Sequence, residues 1–68
     1  MRIVIYSNRN NKYYVTISHY KDSTLYHLFI SDIYGSIVKK GEYITLQAAK
    51  QAIKRFYKRE GILEWIEL

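Results

Sequence analysis

Sixty-eight residues carry 11 Lys+Arg against 6 Asp+Glu, a net charge of +5, with 49% hydrophobic residues, eight Tyr, and no Pro or Cys. This length accommodates one domain, 1–68, and the apolar content is too high for a disordered tail. The lack of Cys excludes disulfides and thiolate metal sites, and two His leave little zinc chemistry, so no metal or cofactor is expected.

Arg2 to Tyr6 is a β-branched run that predicts a first strand, and the polar stretch Ser7 to Lys12 reads as the following turn, its Asn residues tolerating left-handed backbone. Tyr13 to Tyr20 alternates, with Tyr13, Val15, Ile17 and His19 on one face and Tyr14, Thr16, Ser18 and Tyr20 on the other, as in a half-buried strand. After a turn at Lys21 to Thr24, Leu25 to Ser31 sets Tyr26, Leu28 and Ile30 opposite Leu25, His27 and Phe29. Both of its faces are apolar, which marks a central strand. Asp32 and Gly35 suit a short hairpin loop, and Ser36 to Lys40 forms the returning strand, followed by a turn through Gly41.

The period changes at Thr45, a good N-cap. Leu46, Ala49, Ala52, Ile53, Phe56 and Tyr57 then recur at spacings of three and four, the buried stripe of an amphipathic helix. Gly61 is a natural C′ residue, and Lys58 and Arg59 suit the last turn. Ile62 to Leu68 fits a short helix or an edge strand, and its β-branched and aromatic content favours the strand. The fold class predicted is α+β: a small antiparallel sheet of three to four strands packed on one helix, in the order β-β-β-(β)-α-β. Its core is expected where Leu46, Ala49, Ile53 and Phe56 meet Val15, Ile17, Leu28, Ile30 and one or both of Ile3 and Ile5.

Charge is unevenly placed. The helix from Leu46 to Arg59 holds Lys50, Lys54, Arg55, Lys58 and Arg59 and no acid, so it alone carries the net charge of +5. Lys50, Lys54 and Lys58 follow one another at i, i+4, where like charges repel by about 0.2–0.5 kcal/mol per pair. Such a stripe suits phosphates, with counterion release making affinity salt-sensitive, though it also suits a merely solubilising surface. Lys39 and Lys40 extend it, while Glu60, Glu64 and Glu67 make the end of the chain acidic. A second candidate surface is the sheet face bearing Tyr14, Thr16 and Tyr20, whose rings and hydroxyls suit bases or phosphates. The same face also suits burial under the C-terminal segment or under a second copy of the protein.

No catalytic constellation emerges. His19 and His27 fall on adjacent strands without an acid partner, the three Gly are isolated, and Asp22 and Asp32 sit in predicted turns, so no enzyme is expected. No run of eighteen apolar residues suggests a membrane span, which leads to the expectation of a cytoplasmic protein. Abundant Ile, Tyr, Lys and Asn suggest AT-rich coding of the kind common in phages, mobile elements and low-GC or thermophilic hosts.

The stretch from Lys39 to Lys58 resembles the end of the three-stranded-sheet-plus-helix DNA-binding domain at the N-terminus of phage and transposon tyrosine integrases. Lys39 and Lys40 match that family's basic strand, Tyr43 its aromatic after Gly41, Thr45 its helix cap and Ala49 its helix Ala. Glu42 and the acidic C-terminal segment depart from the pattern. The resemblance implies a stand-alone DNA-binding module, without a catalytic domain.

The expectation from sequence is therefore a small non-enzymatic accessory protein that binds nucleic acid, DNA favoured over RNA. It would use Lys39, Lys40, Lys50, Lys54, Arg55, Lys58 and Arg59, with Tyr14, Thr16 and Tyr20 on the sheet. The rival expectation is a protein-interaction module, either an inhibitor of a host protein or a homodimer.

Overall fold

A computed structural model describes residues 2–61 of the chain. Four strands, β1 (Arg2–Arg9), β2 (Tyr13–Tyr20), β3 (Tyr26–Asp32) and β4 (Ile37–Tyr43), precede one helix, α1 (Leu46–Glu60). The strands form a single antiparallel sheet in the order β1-β2-β3-β4. This is the expected α+β plan, with the fourth strand present. The strand or helix expected at Ile62 to Leu68 lies outside the described residues.

Local chemistry explains the turns. The side-chain carbonyl of Asn10 accepts the backbone N–H groups of Lys12 (2.8 Å) and Tyr13 (2.7 Å), and the backbone N–H of Asn10 donates to the carbonyl of Tyr13. One Asn thus closes the turn in three residues. Ser7, Asn8 and Arg9, expected in the turn, are thereby free to pair with Thr16, Val15 and Tyr14. In the β3–β4 loop Asp32 Oδ1 accepts from the N–H groups of Tyr34 and Ser36, and Gly35 takes φ 89°.

Strand β4 runs on to Tyr43, so Gly41 is a strand residue and not part of a turn into the helix. It stands opposite Leu28, and the Tyr43 ring lies over its Cα: a Cβ there would meet Tyr43 Cε2 at 2.8 Å. A side chain at position 41 would displace that ring. Thr45 caps the helix through its Oγ1, which accepts the Ala48 N–H at 3.1 Å, and Gly61 ends it at φ 73°.

The core forms between the helix stripe Ala49, Ala52, Ile53, Phe56 and Tyr57 and the sheet residues Val15, Ile17, Leu28 and Ile30, all buried. Each fully buried Ile or Leu contributes about 1.5–3 kcal/mol. Leu46 packs at the margin, and Tyr13 sets its ring edge-on to Phe56 with centroids 5.0 Å apart. Ile3 and Ile5 do not join this core; they are 48% and 42% exposed, and Tyr6 packs there instead. The helix leans on β3 and β4, away from β1, and the pairing of β1 slips between Val4 and Tyr6. No helix among the described residues is long and apolar enough to cross a membrane.

Candidate nucleic-acid interface

Residues paired across neighbouring strands share a face of the sheet. Val15, Ile17, Leu28 and Ile30 point to the helix, so their alternates Tyr14, Thr16, Ser18, Tyr20, His27, Phe29 and Ser31 occupy the opposite face, called open because no other strand or helix among the described residues lies over it. The alternation predicted for β2 and β3 is the one observed.

Strand β1 adds two cations that sequence reasoning missed. Arg2 pairs with Tyr20 and Arg9 with Tyr14, so both lie on the open face. In an unbroken strand, residues seven apart would point to opposite sides. The bulge between Val4 and Tyr6 supplies the extra residue that brings them to one side. Nothing in the local sequence marks that bulge.

Strand β4 separates Lys39 from Lys40. Lys40 pairs with Phe29 on the open face, whereas Lys39 pairs with the buried Ile30 and lies on the helix side. The cations expected to act as one surface are therefore divided. Lys40, Tyr14, Thr16 and Tyr20 belong to the open sheet face, and Lys50, Lys54, Arg55, Lys58 and Arg59 to the helix on the other side of the sheet. Among the described residues no carboxylate pairs with any of these cations. Arg59 instead lies over the Phe56 ring, 5.8 Å from its centroid.

The open face is uneven. Thr16 and Ser18 are buried at its centre. Tyr14 (41% exposed) and Tyr20 (40% exposed) stand above them. Tyr20 meets His27 edge-on at 5.0 Å, and the Arg9 guanidinium sits 5.9 Å from the Tyr14 centroid. Hydrogen bonds with Thr16 and Ser7, then the charges of Arg9 and Arg2, hold the Tyr14 phenol below the usual range for tyrosine. Glu42, opposite His27, is an acid on this face.

Two clefts open here, with Tyr14 and Ser31 in the walls of both. The larger, about 510 Å³, lies toward the loops and is bounded by Arg9, Asn10, Tyr13 and Asp32 as well. The smaller, about 260 Å³, is bounded by Arg2, Thr16, Phe29 and Ile37. Each cleft thus has one arginine and at least one aromatic wall.

The two histidines do not form a pair: His19 stacks beside Tyr26 on the helix side, and His27 lies on the open face. Among the described residues there is no group of three or more His, Cys, Asp or Glu placed to hold a metal ion. No protein-family model, no curated protein and no solved structure matches this chain, so its function has to be argued from these surfaces.

Proposed function

We propose that this chain is a small nucleic-acid-binding protein whose ligand lies on the open sheet face. One observation carries the reading: Arg2, Arg9 and Lys40, none paired with a carboxylate among the described residues, stand on the same face as the exposed rings of Tyr14 and Tyr20. Guanidinium and ammonium groups supply attraction to phosphates, while rings and hydroxyls supply contacts to bases. The helix cations form a second positive surface, facing away from the first, that draws a polyanion from a distance. This reading moves the contact surface from the helix, where net charge alone placed it, to the sheet.

A mobility-shift series over salt with mixed-sequence DNA and RNA tests it. Binding should weaken steeply between about 50 and 200 mM salt. The variant Arg2→Glu/Arg9→Glu should lose more affinity than Lys50→Glu/Lys54→Glu/Lys58→Glu, both being checked for native circular dichroism. Absence of binding to every nucleic acid at about 50 mM salt overturns the proposal. The reverse ranking of the two variants returns the interface to the helix.

A protein-binding role is the second reading, and the edge strand favours it. Ile3, Val4 and Ile5 are consecutive exposed apolar residues on β1, whose outer edge has no neighbouring strand among the described residues. A concentration-dependent dimer in sedimentation would support pairing of a second copy along this edge, and a strict monomer would remove that form of it.

A further inference from the structure

Resting on the nucleic-acid reading, we infer that the open sheet face takes an unpaired strand, with the Tyr14 ring as a stacking wall between two nucleotide-sized clefts and Arg9 and Arg2 receiving the backbone on either side. The division of the face by one ring is the basis of this assignment. Tyr14 bounds the 510 Å³ cleft with Arg9 on one side and the 260 Å³ cleft with Arg2 on the other. The larger volume lies within the roughly 300–1,000 Å³ of typical ligand sites. A flat group entering it meets the Tyr14 ring, and Asn10, at its border, has its Nδ2 amide buried without a hydrogen-bond partner. The smaller cleft is walled by Phe29, with the Thr16 and Ser31 hydroxyls beside it.

The shape selects between nucleic-acid forms. Reading a duplex requires a protein element that protrudes into a groove about 12 Å wide, and stacked bases there expose only their edges. Concavities with aromatic walls instead suit bases splayed out of a stack, which present whole π-faces. The arginines complement the phosphates without specifying base identity, so recognition should tolerate many sequences and remain sensitive to salt. Thymine and uracil tracts, the least self-stacked, are the probes of choice.

The experiment is fluorescence anisotropy of the full chain with labelled oligo-dT and oligo-U of about 12 nucleotides, within the range of known single-strand site sizes, and a duplex of equal length. Single strands should bind at least tenfold more tightly than the duplex. Tyr14→Leu should lower single-strand affinity by about tenfold, while Tyr14→Phe, which keeps the ring, stays within about threefold of the parent. Should Tyr14→Leu fail to fold, backbone amide shifts of the unmodified protein give the same information: oligo-dT should perturb Tyr14, Phe29 and Arg9 more than Lys50 to Lys58. A duplex bound as tightly as the single strands, an unchanged Tyr14→Leu, or shifts confined to the helix each overturn the inference while leaving nucleic-acid binding intact. Failure to bind any of the three overturns both.

Discussion

Tyr13 and Tyr14 are adjacent in sequence and differ in physical setting because alternation sends them to opposite faces. The Tyr13 hydroxyl donates to Glu60 Oε1 at 2.6 Å, and this bond to a carboxylate holds the phenol above its usual range, with desolvation and the charges of Glu60 and Asp32 adding to the effect. Tyr14 is held below that range, first by Thr16 and Ser7, then by Arg9 and Arg2, with burial opposing. The two shifts have opposite consequences for stability. A phenol with a raised folded value stabilises the fold while protonated, so the Tyr13 contribution is complete below about pH 10 and is lost as pH rises through the folded value. The Tyr14 contribution is absent at neutral pH, appears as pH rises through its lowered folded value, and is full above about pH 10. In a tyrosinate absorbance titration, Tyr14→Phe should therefore remove an early component and Tyr13→Phe a late one. Denaturation of Tyr13→Phe should show its deficit relative to the parent at neutral pH and lose it in alkali. A late component lost from Tyr14→Phe would contradict the arrangement of charges around it.

The elements were legible in the sequence to different degrees. Strands β2 and β3, the capped helix and its buried stripe could be read directly, because period, Thr45 and Gly61 all express local physics. The ends of β1 and β4 could not. Asn10 shortens one turn by accepting two backbone N–H groups at once, which a stretch of polar letters does not reveal. Two register slips, in β1 against β2 and in β4 against β3, reverse the parity of side chains along the edge strands. That reversal gathers Arg2 with Arg9, and an alternating template would have parted them. The candidate site was legible in β2, as Tyr14, Thr16 and Tyr20, and illegible wherever a bulge sets direction.

Gly41 provides a test at the same scale. Its missing side chain makes room for the Tyr43 ring, a flexible group able to move if pushed. Gly41→Ala should destabilise by about 1 kcal/mol, at the lower end of overpacking costs. Combined with Tyr43→Ala, its further effect should vanish or change sign, since the alanine methyl then meets no ring. A double-mutant cycle by urea denaturation measures this coupling, and additive effects would show that the ring is not what position 41 accommodates.

At the scale of the whole molecule, the net charge of +5 is not the field of one surface. Five cations lie on the helix, while Arg2, Arg9 and Lys40 occupy the far face of the sheet, with Glu42 beside them. The hydrophobic core lies between the helix and the sheet, and at physiological salt charges are screened over about 8 Å. On the proposed reading, helix cations act on a ligand at the open face by attraction during approach and contribute little once it is bound. Lys54→Glu separates these roles from stability. It replaces the repulsions of Lys54 with Lys50 and Lys58 by two i, i+4 attractions, which should stabilise the fold by about 0.8–2 kcal/mol. For a domain of this size that is a rise of about 3–16 °C in Tm. The same variant should slow association with oligo-dT at low salt, with an effect that fades as salt is added and a dissociation rate unchanged. Arg9→Gln should instead quicken dissociation at all salt concentrations, because its guanidinium is assigned to the contact itself. Stopped-flow mixing resolves the two rates, and a Lys54→Glu protein that dissociates faster while Arg9→Gln does not would place the bound strand on the helix.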